Sequence, residues 1–315
     1  MKKEEFYYDS RDGRNKIRAM YWIPDKEIKG ILQIVHGMAE HIGRYDDFAE
    51  YIAGQGILVA ANDHLGHGKS VETADDKGYF CENDPVTVTV RDVHRLKKMT
   101  QEKYPGKPYV ILGHSFGSFV ARNYIFRYGK GIDGAIISGT GYQPAIKVNA
   151  GKALMRMIAL IKGWRYRSKF ADSLVNGGAN DKIENPRTPF DWLSRDPEVV
   201  DKYIADDDSG FLFTLNGLYT VVDSLSASCN VKEIAKMRKD LPVMFISGDM
   251  DPVGNYSEGV KWVYDRFIEA GMQKTSLKLY PGARHEVLNE TNKNEVYEDV
   301  YKFCLSVFGN DGVEK

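Results

Sequence analysis

Two glycines bracket a serine in Gly113-His114-Ser115-Phe116-Gly117, directly behind the apolar run Tyr109 to Leu112. A serine hydroxyl in that setting can act as a nucleophile, provided that something exposes it and a base removes its proton. The glycines meet the first condition. Where a strand turns sharply into a helix, the flanking positions need minimal side chains; the central residue then stands clear of the sheet, and the next backbone N–H points at the space beside it. The second condition needs a histidine and a carboxylate. Among the seven histidines, His285 follows LYPGAR just past the last strand candidate, and SGDMD supplies Asp249 and Asp251 just past the preceding one. Spacing leaves both aspartates open: Asp249 directly follows the strand glycine, while Asp251 lies further out, with more reach. A set in the order serine, acid, histidine predicts acyl transfer. His285 would take the Ser115 proton, and the carboxylate would hold the imidazole in the right tautomer. The developing oxyanion would need backbone donors, here Phe116 N–H and, from the loop VHGMAEHIGRY, Met38 N–H, with Gly37 letting the chain approach closely.

These groups lie far apart in the chain, so the elements between them must bring them together. Phe6 to Asp9 and Ile17 to Ile23 read as strands split by the turn RDGRN. After Gly30, ILQIVHG is short, apolar and β-branched, as a strand buried on both faces should be. Tyr45, Phe48, Ala49, Ile52 and Ala53 recur at helical spacing and stop at Gly56. The alternation continues through ILVAAND, a helix carrying Val86, Val90, Val93, Leu96 and Met99, the strand YVILG, a helix from Ser115 to about Tyr128, and GAIISG. It lapses after Gly141 and resumes at LPVMFISG, a helix from about Ser257 to Ala270, SLKLYPG, and a last helix with Val296, Tyr297, Val300, Tyr301, Cys304 and Val307. Strands alternating with helices predict an α/β fold with a mostly parallel, doubly wound sheet. Residues 1–141 and 226–315 would form the core, and 142–225 a helical cap inserted between two strands. All three candidate side chains would fall at the carboxyl edge of the sheet, where open α/β sheets bind ligands.

Composition narrows the partners. With 43% apolar residues, 28% charged and a net charge of −1 over 315 residues, the chain has the balance of an ordinary globular protein and no global attraction to nucleic acid. The start, MKKEEFYYDS, lacks a secretory h-region, and no run reaches the roughly 18 apolar residues of a membrane span, so a cytoplasmic protein is expected. Cys81, Cys229 and Cys304 are isolated and read as reduced thiols. His36, His41, His64 and His67 lack metal-ligand spacing and read as loop hydrogen-bonding groups, with His114 supporting the serine turn. NDHLGHGKS fits neither dinucleotide nor P-loop spacing, so no metal or cofactor is predicted.

HGMAEHIGRY, DHLGHGKS, GHSFGS, SGDMDPVG and YPGARHEVLNE follow one another in the order and approximate spacing of the monoacylglycerol lipases and related bacterial lysophospholipase-type α/β-hydrolases. The chain resembles that family from about Gly30 to the last helix. The resemblance implies the α/β-hydrolase fold, Ser115 as nucleophile, Asp251 rather than Asp249 as acid, His285 as base, and oxyanion donors at Met38 and Phe116. It implies hydrolysis of monoacylglycerol, lysophospholipid or similar acyl esters without a cofactor. Two positions depart from the family's G-H-S-M-G-G, which here carries Phe116 and Ser118. The alternatives are a serine aminopeptidase, which needs an acidic pocket for a free amine, and a catalytically silent binding protein, which predicts a missing triad member.

The cap adds a clue of its own. From Ala145 to Ala171 there are seven basic residues and no acidic one, whereas Asp172 to Asp208 holds ten carboxylates against four bases. At 100° per residue Ile146, Ala150, Ala153, Leu154, Met157, Leu160 and Ile161 share one face, with Met155 and Ile158 among the charges. Such a helix either packs on the fold beneath as a lid, or guides a lipid-like ester inward past Met155 and Ile158, with transient contact to a membrane surface.

Overall fold

The computed structural model describes residues 1–309. Eight runs rich in β-branched and aromatic residues pair into one sheet: β1 (Lys2–Asp9), β2 (Lys16–Ile23), β3 (Gly30–Val35), β4 (Ile57–Asn62), β5 (Tyr109–His114), β6 (Gly134–Ser138), β7 (Val243–Gly248) and β8 (Thr275–Tyr280). Their spatial order is β1-β2-β4-β3-β5-β6-β7-β8, with β1 and β2 antiparallel to their neighbours and β3 to β8 parallel. The parallel pairs are joined by helical crossovers, as the alternating sequence pattern requires. The core helices are α1 (Asp46–Gly54), α2 (Pro85–Lys103) and α3 (Phe116–Tyr128), and between β6 and β7 come α4 (Ala145–Lys162), α5 (Lys169–Asn176), α6 (Pro197–Ala205), α7 (Leu215–Ser228) and α8 (Val231–Lys236). The chain then adds α9 (Glu258–Glu269) and α10 (Lys293–Phe308).

Strand residues alternate between two apolar layers because successive side chains leave opposite faces of a strand. Leu32, Ile34, Val110 and Leu112 meet α1 and α10 through Phe48, Ile52, Val296 and Val300 on one face. Ile31, Val35, Tyr109 and Ile111 meet α2, α3 and α9 through Val93, Val120 and Val263 on the other. Gln33 is the polar exception in β3, and it is satisfied: its Nε2 donates to Val93 O at 3.0 Å, and Tyr109 Oη donates to its Oε1 at 2.6 Å. With both faces covered, parallel strands can read as unbroken apolar runs.

The inserted helices differ from expectation at one boundary, and their packing decides an orientation that periodicity left open. The boundary expected at residue 225 falls inside α7, which runs unbroken to Ser228 because it lies against α3, where Asn123 Nδ2 donates to Ser224 O at 2.9 Å. In α4 the buried residues are Val148, Met155 and Ala159, while the broad apolar face points outward, with Ile146 83%, Leu160 87% and Ile161 82% exposed. The inward ridge is fixed by Lys152, which pairs with Asp223 and sits over the Tyr219 ring at 5.2 Å. No helix among the described residues is long and apolar enough to cross a membrane.

Candidate active site

Ser115 follows β5 at φ 53° and ψ −121°, a left-handed position that costs a non-glycine residue about 1–3 kcal/mol. The glycines around it are required by contact. A Cβ on Gly117 would lie 2.0 Å from Val35 O, and one on Gly113 would lie 2.3 Å from Gly117 O. Although Ser115 occupies the N-cap of α3, its hydroxyl makes no capping bond, which leaves it free for chemistry. Ser115 N–H is held by Ser138 O at 3.0 Å, and Ser118 Oγ donates to Ser115 O at 2.5 Å. The departure at Ser118 therefore adds a brace to the turn. Phe116, the other departure, buries its ring edge-on to His64 and Phe80 at 5.6 and 5.5 Å.

His285 Nδ1 lies 2.9 Å from Asp251 Oδ1. A carboxylate only accepts, so the ring proton sits on Nδ1 and Nε2 carries the lone pair. Asp251 is itself oriented by Val253 N–H at 2.8 Å and the Ser247 hydroxyl at 3.2 Å. Burial alone would lower the His285 pKa; the adjacent Asp251 charge and its hydrogen bond outweigh it and leave the pKa raised above 6.5. Asp249 instead accepts Gly282 N–H at 2.7 Å and closes the loop that leads to His285. The lack of a side chain at Gly248 lets that loop approach, since a Cβ there would lie 2.0 Å from Ala283 O. His114 stands beside His285, ring centroids 4.8 Å apart, and burial, then the His285 charge, drive its pKa down to about 3.

The loop after β3 comes down beside the serine. A Cβ on Gly37 would lie 3.1 Å from Ser115 Cβ, so the backbone passes at contact distance. Phe116 N–H opens α3, and a first-turn N–H has no partner within its helix. Beneath this loop lies a buried ion cluster with no counterpart among the sequence expectations. Arg44 donates to both Glu286 oxygens at 2.6 and 2.7 Å and to Glu40 at 2.9 Å, and its guanidinium covers the Tyr203 ring at 4.7 Å. Glu40 also accepts Gly37 N–H at 2.5 Å and Tyr45 Oη–H at 2.8 Å. Burial acts to raise the Glu286 pKa, but Arg44 prevails and holds it below the ordinary range; Glu40, buried and facing Glu286, is raised. The cluster joins the Gly37 loop, the His285 loop and the inserted helices. Its only sequence signal was three charged residues sharing glycine-rich or histidine-bearing motifs.

A cavity of about 810 Å³ brings these groups together: Ser115, His285, Met38 and Phe116 line it, as do Trp192 and Tyr203 from the inserted segment. Met155 lines it too. Ile158, expected beside it, does not; half-buried, it packs against the core because it falls on the flank of the helix. Hydrogen bonds from His285 N–H to Trp192 O (3.3 Å) and from Glu286 N–H to Leu193 O (2.8 Å) tie the insertion to the histidine loop. His36, His64 and His67 cluster beneath, ring centroids 4.2 to 6.0 Å apart, bonded to loop carbonyls. Among the described residues no group of histidine, cysteine or acidic side chains could hold a metal.

A strand-to-helix serine, a histidine on a carboxylate, and a parallel sheet presenting both at its carboxyl edge define an α/β-hydrolase. Comparison with known proteins agrees. The family described as serine aminopeptidase, S33, matches residues 26–292. A monoacylglycerol lipase of Mycolicibacterium smegmatis is 29% identical over 93% of this chain and 95% of its own, and human monoglyceride lipase is 39% identical over 89% and 84%. A thermostable carboxyl esterase from Bacillus coagulans, solved with glycerol, superposes with a TM-score of 0.91 at 32% identity, covering 98% and 99% of the two chains. The chain belongs to this family, among its monoacylglycerol lipase-type α/β-hydrolases, and is a serine ester hydrolase.

Proposed function

We propose that the protein hydrolyses monoacylglycerols or similar small lipid esters through an acyl-enzyme on Ser115. The observation that carries this reading is the 2.9 Å His285–Asp251 bond, made in the wall of the cavity that Ser115 also lines. With Nδ1 protonated, His285 Nε2 accepts the Ser115 proton as the hydroxyl attacks the ester carbonyl, and Asp251 stabilises the imidazolium. The carbonyl oxygen, now an oxyanion, takes the N–H groups of Met38 and Phe116. The tetrahedral adduct collapses, His285 protonates the departing alcohol, and a water activated by the same nitrogen releases the acid.

The cavity supports an acyl chain. Val148, Met155, Leu174, Val221 and Leu225 give it an apolar wall. The relatives named for monoacylglycerol lipase activity add weight to that substrate class. An aminopeptidase would need an uncommitted carboxylate for the free amine; Glu40 and Glu286 are both paired with Arg44, which leaves Asp172 and Asp181 of the inserted segment as the cavity-lining carboxylates that reading would use. Residues 142–225 act as a cap in this reading. Its outward face, where Leu160 and Ile161 stand among Arg156, Lys162 and Arg165, supports transient contact with a lipid surface from which the ester is drawn.

The test compares kcat/KM for p-nitrophenyl butyrate and p-nitrophenyl laurate, with Ser115→Ala as the blank. Ser115-dependent turnover that favours laurate is expected. A preference for butyrate would reduce the reading to a small-ester hydrolase, and turnover of aminoacyl p-nitroanilides alone would replace it with the aminopeptidase.

A further inference from the structure

The oxyanion role of Met38 raises the question of what aims its N–H. The Gly37–Met38 peptide is trans, so its carbonyl and its N–H point in opposite directions. Fixing one therefore fixes the other. Gly37 O lies 2.8 Å from His36 Nδ1. His64 N–H donates to His36 Nε2 at 2.9 Å, which makes Nε2 the acceptor and puts the ring proton on Nδ1, facing the Gly37 carbonyl. The backbone of His36 is held as well, with His64 Nε2 3.1 Å from His36 O, and the preceding peptide is held by Glu40 on Gly37 N–H.

We propose that His36 is a positioning residue for the oxyanion hole: its Nδ1–H clamps the Gly37 carbonyl and so directs Met38 N–H toward the carbonyl oxygen of the ester that Ser115 attacks. The inference rests on the reading of Met38 as an oxyanion donor. It explains why a polar ring is fully buried next to two further histidines. Burial, then the neighbouring His64 and His67, hold its pKa well below the ordinary value, so the ring stays neutral and keeps one tautomer. A glycine that lends its carbonyl is free to swing; a hydrogen bond to a buried ring removes that freedom before substrate arrives. The hole is thus arranged in advance of the charge it receives.

Two substitutions separate this role from simple packing. In His36→Asn the side-chain amide reaches the position of Nδ1 and can still donate to Gly37 O, but it leaves His64 N–H without a partner. In His36→Gln the amide reaches the position of Nε2 and serves His64 N–H, but it loses Gly37 O. Measured well below their melting temperatures, the glutamine variant should lose about 10²-fold in kcat with KM little changed, the scale of one misplaced oxyanion donor, and the asparagine variant should recover most of it. Equal kcat in the two variants would overturn the proposal, as would a loss that tracks the melting temperature. Should neither fold, the ¹⁵N spectrum of the wild-type histidines decides: Nδ1–H at His36 is expected, and Nε2–H would overturn it. If Ser115→Ala retained wild-type turnover, the underlying reading would fail instead, a result distinct from either.

Discussion

At the scale of single residues, the chemistry depends on which atoms hold protons. His285 has its pKa raised by Asp251 despite burial, and in the proposed mechanism the base must be neutral to act. The two signs are opposite. The raised pKa contributes stability below pH 6.5 that is lost as pH rises through the folded value, whereas activity appears over that same rise. The acidic limb of kcat/KM should therefore have its midpoint above 6.5, and a pH profile on a soluble ester checks it; a midpoint below 6.5 would mean that burial, not Asp251, controls the ring. Ser118→Gly removes the brace on Ser115 O and frees the backbone, and should lower the unfolding free energy by about 1–2 kcal/mol in a urea titration. Ser115 and His285 were legible as candidates in the chain because glycine spacing and strand ends are local signals. The partner of His285 was not legible from spacing, and only the family resemblance pointed to Asp251, the residue that His285 Nδ1 faces. Asp249 and Asp251 differ only in which way a loop turns, a choice made by contacts with Gly282 and Val253 that spacing does not encode.

At the scale of elements, periodicity showed that α4 is amphipathic without showing which side faces the protein. An amphipathic helix packed on a core ordinarily buries its broader apolar stripe, but α4 lies over a cavity and keeps inward only Val148, Met155 and Ala159. Leu160→Ser combined with Ile161→Ser should therefore leave turnover of soluble p-nitrophenyl butyrate and the melting temperature nearly unchanged. The same pair should slow hydrolysis of vesicle-borne monoacylglycerol by about thirtyfold, since each side chain would lose roughly a kcal/mol of burial in the lipid interface. Equal rates on vesicles would remove the membrane contact. The Arg44 cluster was illegible for another reason. Its members come from residues 40, 44 and 286, and only the folded loops show that one guanidinium serves both carboxylates. Arg44→Ala strands two buried carboxylates and should cost about 3–5 kcal/mol, read from the shift in denaturation midpoint. It should also lower kcat, because both the Gly37 and the Glu286 loops lose their common anchor.

At the scale of the whole molecule, the sheet was the most legible part. Runs such as ILQIVHG and YVILGH have no polar face to show water, so they had to lie between two layers of helices, as β3 and β5 do. The strand order was not legible: β4 and β5 both flank β3, a pairing decided by crossovers rather than by composition. The insertion between β6 and β7 announced itself by the lapse in alternation, but its boundary did not, because α7 is shared between the cavity wall and the packing on α3. What the architecture accomplishes is convergence, since the loops after β5, β7 and β8 hold Ser115, Asp251 and His285 at one edge while residues of the inserted helices line the same cavity as Ser115 and His285. The most direct test is to quench turnover of p-nitrophenyl laurate with acid in its first seconds and locate the acyl group by peptide mass spectrometry. A lauroyl ester on Ser115, absent from Ser115→Ala, is the expected result; an acyl group on any other residue, or undiminished turnover by Ser115→Ala, would contradict it.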